Sequence, residues 1–206
     1  MRVKNSSIAY TIKRTDKIME LIGHKVKLRI LTFEDRTALL EAADDGELWQ
    51  SPYTVVPNAD SIDAYLSTAL TGYSEGSVLP FIIELMETQK IVGTTRFWKI
   101  DPQNRQYEIG YTWIAASWQR TFVNTEIKYL MLQYAFETRQ FIRVQFTTDV
   151  LNKQSQKAIL RIGAKEEGII RYERIMPNGR KRDSVRYSII EDEWVNVKAN
   201  LLEMLM

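Results

Sequence analysis

Three β-rich segments in direct succession, residues 81–86, 91–98 and 107–114, most narrow what this 206-residue chain can fold into. Each is dense in β-branched and aromatic residues. Asp101-Pro102-Gln103-Asn104, between the last two, is turn chemistry. The three segments predict an antiparallel meander. Ahead of it, Val26, Leu28 and Ile30 alternate with lysine and arginine and predict a strand. Thr32 with Asp35 three residues later predicts a helix start of the capping-box kind, and Ala38, Leu39, Ala42 and Ala43 give that helix an apolar stripe. Ile62, Tyr65, Leu66, Ala69 and Leu70 fall at i, i+3, i+4, i+7 and i+8, the spacing of a second helix.

After the meander, Ile127, Leu130, Met131, Tyr134 and Ala135 share one face of a long third helix. Ile142, Val144 and Phe146 alternate in the next strand. A shorter helix over residues 152–162 is terminated by Gly163. Two last strands, 168–176 and 184–190, flank Pro177-Asn178-Gly179, a hairpin signal. The order β-α-α-β-β-β-α-β-α-β-β predicts an α+β domain with a mixed sheet.

Composition excludes several classes. The chain has no cysteine, which removes disulfides, thiolate metal sites and a cysteine nucleophile together. His24 is the only histidine, so no metal site is expected. No apolar run approaches the ~20 residues of a membrane span, and no signal core opens the chain. A cytoplasmic protein without a membrane partner is expected. The net charge of +2 is too small to argue for nucleic acid. Residues 1–30 nevertheless carry eight Lys/Arg and two Asp/Glu. A basic arm of this kind is either a solvated tail or a docking segment for RNA or an acidic surface.

The stretch most suited to chemistry is Trp118-Gln119-Arg120-Thr121-Phe122-Val123-Asn124-Thr125-Glu126, between a strand and the long helix. Free amides at a helix N-terminus attract anions, and Arg120 adds charge. On local chemistry alone this is either a phosphate cradle or an ordinary strand-to-helix connection. Trp49, Tyr53, Trp98, Tyr111 and Trp113 either line a groove or fill the core.

Glu108-Ile109-Gly110-Tyr111-Thr112-Trp113, then residues 119–126, then Asn152-Lys153-Gln154-Ser155, then Gly163-Ala164-Lys165-Glu166-Glu167-Gly168 together resemble the GNAT N-acetyltransferase superfamily. They are most similar to the branch containing the bacterial ribosomal-protein N-terminal acetyltransferases. The resemblance spans residues 21–194. It implies a mixed α/β fold: a mostly antiparallel twisted sheet of about six to seven strands, splayed into a V between two neighbours, with about four helices. It implies acetyl-CoA as co-substrate, with no metal. The pyrophosphate would meet backbone amides over Gln119, Arg120, Thr121, Phe122, Val123, Asn124 and Thr125. Pantetheine would lie beside the splayed strand at Trp113 and Ile114. Where the family usually has glycine, this chain has Phe122, whose ring either narrows the cradle or points away.

The resemblance also carries roles for side chains. Glu108 matches the position of a base, acting directly or through water, because an amine attacks only when deprotonated. It is otherwise a strand glutamate. Asn152 matches an asparagine that contacts CoA, or is simply an N-cap. Ser155 matches a proposed proton donor to the departing thiolate, and Ile159 stands where many relatives have a tyrosine acid. Lys157 either neutralises the adenosine phosphate or is a solvated lysine. Backbone amides near Ile114 would steady the oxyanion.

The resulting expectation is direct acetyl transfer, in a ternary complex, to a primary amine. The acceptor is a protein N-terminus or a small molecule, and a homo-oligomer is left open. The alternatives are a non-catalytic CoA-binding protein and a ribosome- or RNA-docking protein on the same fold. Residues 1–18 are expected to be a weakly packed basic extension, with an upstream start that cells do not use left open; the alternative is that residues 8–12 form a short edge strand or pair with a second subunit. Residues 19–206 are expected to form a single acetyltransferase domain.

Overall fold

The computed structural model describes residues 11–15, 18–176 and 178–206. In chain order these residues form β1 (Thr11–Thr15), β2 (Ile18–Ile22), β3 (Val26–Ile30), α1 (Arg36–Asp44), α2 (Ile62–Ser74), β4 (Leu79–Leu85), β5 (Ile91–Asp101) and β6 (Gln106–Ile114). They continue with α3 (Phe122–Gln133), β7 (Arg143–Asp149), α4 (Lys153–Arg161), β8 (Lys165–Ile175), β9 (Lys181–Ile190) and α5 (Trp194–Leu205). The strands make one sheet in the order β1-β2-β3-β4-β5-β6-β7-β9-β8.

The meander is present as β4-β5-β6, antiparallel throughout. The one parallel pair among the described residues is β6 with β7. A parallel neighbour needs a crossover connection, and α3 provides it. Adjacent strand residues point to opposite faces. Thr94 on β5 meets the Tyr65 hydroxyl on α2 at 2.8 Å, whereas Thr95 reaches Met131 on α3. Hence α2 and α3 cover opposite faces of the sheet.

Two strands and one helix extend the predicted pattern. β2 pairs antiparallel with β3 and buries Leu21 completely. β1 pairs with β2 at the sheet's edge. Residues 8–10, part of the expected alternative edge strand, lie outside the described residues. At the other end of the chain α5 packs on α3, with the Trp194 ring 6.3 Å from Tyr129, and Trp194 Nε1 donates to Glu137, in the helical turn that follows α3, at 2.8 Å. Among the described residues the sheet therefore has nine strands and the domain five α-helices, against the six to seven and four expected.

The local signals are realised in detail. Thr32 N–H donates to Asp35 Oδ2 at 2.8 Å, and a short 3₁₀ turn, Phe33–Asp35, leads into α1. Gly163 follows α4 at φ +95°, and a Cβ there would stand 3.0 Å from Val197 on α5. Glycine is needed at that position for both conformation and space. No helix among the described residues is long and apolar enough to cross a membrane.

Candidate active site

The ladder between β6 and β7 runs over only three pairs, Gln106↔Arg143, Tyr107↔Val144 and Glu108↔Gln145. Beyond them the strands part, and Ile109–Ile114 face residues 146–148 across a cleft of about 1060 Å³. That volume is at the large end for ligand sites. The N-terminus of α3, the first two turns of α4 and the loop before α2 close its sides.

Of the residues singled out in the sequence, Glu108, Trp113, Ile114, Gln119 and Arg120 line this cleft. So do Thr121, Asn124, Asn152, Ser155 and Lys157. Phe122, Val123 and Thr125 are not among the lining side chains. What they offer is backbone, because the first amides of a helix have no intrahelical acceptor. Thr121 caps the helix by accepting from Val123 N–H at 3.3 Å. Phe122 opens the helix with its ring 6.1 Å from Trp118 and beneath the Lys25 ammonium. The left-handed residue of this loop is instead Arg120, at φ +61°.

Glu126, in the same motif, has a structural job. Its buried carboxylate accepts from the backbone N–H groups of His24 and Lys25, tying α3 to the turn between β2 and β3. Gln119 donates to the Ile114 carbonyl at 2.9 Å and receives Gln154 at 3.4 Å, linking the end of β6 to the start of α4. Asn152 is the N-cap of α4 and accepts from Ser155 N–H at 3.0 Å. Ser155 is half-buried on the cleft side of that helix.

Glu108 is only 2% exposed. Its Oε2 accepts from Lys99 Nζ at 2.9 Å and Gln145 Nε2 at 2.7 Å, so its desolvation is offset by an ammonium and an amide. It shares a register row with Trp98 and Gln145. Next along β6 a bulge sets Tyr111 and Thr112 against the single residue Thr95, and Tyr111 takes a left-handed φ of +51°. Of the aromatics named from the sequence, Tyr53, Trp98, Tyr111 and Trp113 line the cleft, and Trp49 packs against the core.

Six cations of the cleft, Lys99, Lys128, Lys153, Arg161, Arg174 and Arg182, were given no role by the sequence reading. Lys153 and Arg161 lie on α4, and Arg161 donates to Thr125 Oγ1 at 2.8 Å. Lys128, on α3, is buried, and burial pushes its ammonium down to about 7. Its Nζ donates to Thr112 Oγ1 at 2.8 Å, which in turn meets Thr95 Oγ1 at 2.8 Å. The signal was available: Lys128 stands one helical turn after Asn124 and one before Met131, on the seam between cleft and core.

Residues 25–165 match the family described as acetyltransferase (GNAT) domain. The uncharacterized N-acetyltransferase YoaA of Bacillus subtilis is 26% identical over 185 residues, covering 88% of this chain and 98% of its own. A GCN5-related N-acetyltransferase from Brucella melitensis superposes with a TM-score of 0.82 at 25% identity, over 94% of this chain and 87% of its own. Mycobacterium smegmatis RimJ, solved with CoA-disulfide, shares the fold at a TM-score of 0.74 and 22% identity, over 87% and 88% of the two chains.

Proposed function

This chain belongs to the GNAT acetyltransferase family, and from that premise we propose that it moves an acetyl group from acetyl-CoA to a primary amine by direct attack in a ternary complex. The observation that carries the reading is the parting of β6 and β7 immediately after Glu108, with the α3 N-terminus at the mouth of the gap. A helix N-terminus is an anion site. Here Arg120, Lys153, Lys157 and Arg161 line the same cleft, and the Phe122 ring is turned toward Trp118 and Lys25. These residues fit the phosphates of CoA, and RimJ, which shares the fold, was solved with CoA-disulfide.

When bound, acetyl-CoA supplies a thioester whose C–S bond breaks as the C–N bond forms. The chain's part is to hold, orient and move protons. Glu108 takes the proton of the attacking amine directly or through water, with Lys99 and Gln145 fixing its carboxylate. Ser155 returns a proton to the departing sulfur. The edge of β6 freed by the splay presents its amides to the oxygen that gains charge. The acceptor, a protein N-terminus or a small molecule, enters beside Trp98 and Tyr111. A ligand that binds the folded state raises the melting temperature. The first test is therefore thermal unfolding with acetyl-CoA, followed by turnover against a panel of amines. An absence of any shift at millimolar acetyl-CoA would overturn the reading.

A further inference from the structure

The cleft has a second charged region, away from the α3 N-terminus. It lies on the β8–β9 hairpin, where Arg174 and Arg182 are cross-strand partners and both line the cleft. Like charges directly opposite each other in a sheet are destabilising, so this pair calls for compensation. The described carboxylates nearby are shared with other groups. Asp149 is shared: it pairs with Arg180 and also reaches Arg182, its Oδ2 3.9 Å from Arg182 Nε, which donates to Ser184 Oγ at 3.0 Å. Glu173 lies 3.5 Å from Arg186, Asp183 accepts from Tyr172 N–H, and Glu108 is held by Lys99. Arg174 has no carboxylate within 4.0 Å among the described residues; its Nη2 donates to the Tyr111 hydroxyl at 3.3 Å.

Tyr111 is itself a focus of positive charge. Its ring faces the Arg96 guanidinium at 4.6 Å, with the Tyr65 ring 4.5 Å from the same group. Arg96 is 4% exposed, and its Nε and Nη2 have no hydrogen-bond partner. Buried donors without partners are costly. Tyr111 is also held in the left-handed conformation described above, and strain of that kind gathers at ligand sites. Arg96 behind Tyr111, Arg174 on its hydroxyl and Arg182 beside Arg174 outnumber the carboxylates of this wall, where Asp149 is shared with Arg180 and Glu173 with Arg186.

We propose that the acceptor is an amine carrying a carboxylate, and that Arg174 and Arg182 bind this carboxylate while the amine is presented toward Glu108. Arginine suits the task because its planar fork matches two carboxylate oxygens. The carboxylate comes from a free amino acid or from an acidic side chain near a peptide N-terminus. The proposal rests on the acetyl-transfer reading above.

The test has a turnover arm and a binding arm. In the first, acetyl-CoA is held saturating while matched acceptors are compared: free amino acids against their amides, and amidated tripeptides beginning Ser-Asp or Ser-Glu against Ser-Asn or Ser-Gln. In one of the two series the carboxylate member should lead by roughly 10- to 100-fold in kcat/KM, the scale of a charged hydrogen bond. The leading series identifies the source. Arg174→Met should erase most of that preference without changing KM for acetyl-CoA, and Arg174→Lys should keep part of it. Equal use of both members in both series overturns the proposal, as does an Arg174→Met variant that slows both members alike.

In the binding arm, glutarate and its diamide are titrated by calorimetry without turnover. Glutarate should bind the wild type, and the diamide should not. Glutarate binding without any acetyl-CoA effect would retain the anion site and remove the transferase reading. Turnover of neutral amines without glutarate binding would do the reverse.

Discussion

A lysine amine enclosed between a helix and a sheet must either find an anion or give up its proton. Among the described residues Lys128 finds the Thr112 hydroxyl and no carboxylate, and burial brings its ammonium to about 7. In the unfolded chain a lysine stays protonated to about 10.4. Between about 7 and 10 the unfolded state therefore binds more protons than the folded one, and this residue makes stability rise with pH. Below about 7 both states are charged, and the penalty, at ~1.4 kcal/mol per pKa unit, stands at its full few kcal/mol. Lys128→Met should be more stable than the wild type at pH 6 and lose that advantage as the pH approaches 10. Denaturation curves with a constant offset across this range would refute it. The proposed proton carriers are tested by rate. Glu108→Gln should lower kcat by ~10²–10⁴-fold. Ser155→Ala should lower it less, because water can replace a hydroxyl. Rates within a few-fold of wild type in both variants would remove them from the mechanism.

At the scale of elements, α3 shows why a departure from a family pattern need not change a site. Glycine is indispensable only where φ is positive or the backbone comes too close to something else. In this loop the positive φ belongs to Arg120, and Phe122 is already the first helical residue, its ring on Trp118. Phe122→Gly should therefore leave acetyl-CoA affinity within about two-fold. It should cost roughly 1 kcal/mol of stability through lost helix propensity as well as lost ring contacts. A clear tightening on titration would mean that the ring does obstruct the cradle. The same scale explains what was legible. β4, β5, β6, α3 and the β8–β9 hairpin announce themselves through alternation, 3.6-residue periodicity and Asn178-Gly179. The apolar spacing Trp194, Val197, Leu201 that builds α5 is equally regular, but it lies past the last family-like motif. β2 is five residues with no alternation, since Leu21 is buried beside a half-buried Ile22. Only its pairing with β3 makes it a strand. The cleft residues near the α3 start were readable because they cluster along the chain. Arg174 and Lys99 were not, because only the register of the sheet brings them beside Tyr111 and Glu108.

For the molecule as a whole, the open question of architecture is how much the start of the chain contributes. β1 meets the rest of the fold through its ladder with β2, at the outer edge of the sheet and far in strand order from the β6–β7 gap. β2 is secured without it. Glu20, Leu21 and Ile22 pair with β3, Leu21 is fully buried, and Glu126 holds the following turn through His24 and Lys25 N–H. A two-stranded ribbon adds little stability by itself, and a short polar segment gains little burial against its ordering entropy. We therefore propose that residues 1–18 are an accessory extension to a domain spanning 19–206. A chain beginning at Met19 should keep its melting temperature within a few degrees and bind acetyl-CoA unchanged, even though removing β1 exposes the edge of β2 to pairing with other chains. Light scattering alongside the melting curve separates the two consequences. Aggregation at an unchanged midpoint would assign β1 a protective role at the sheet edge. A midpoint lowered by several degrees would make it part of the folded unit and refute the proposed boundary.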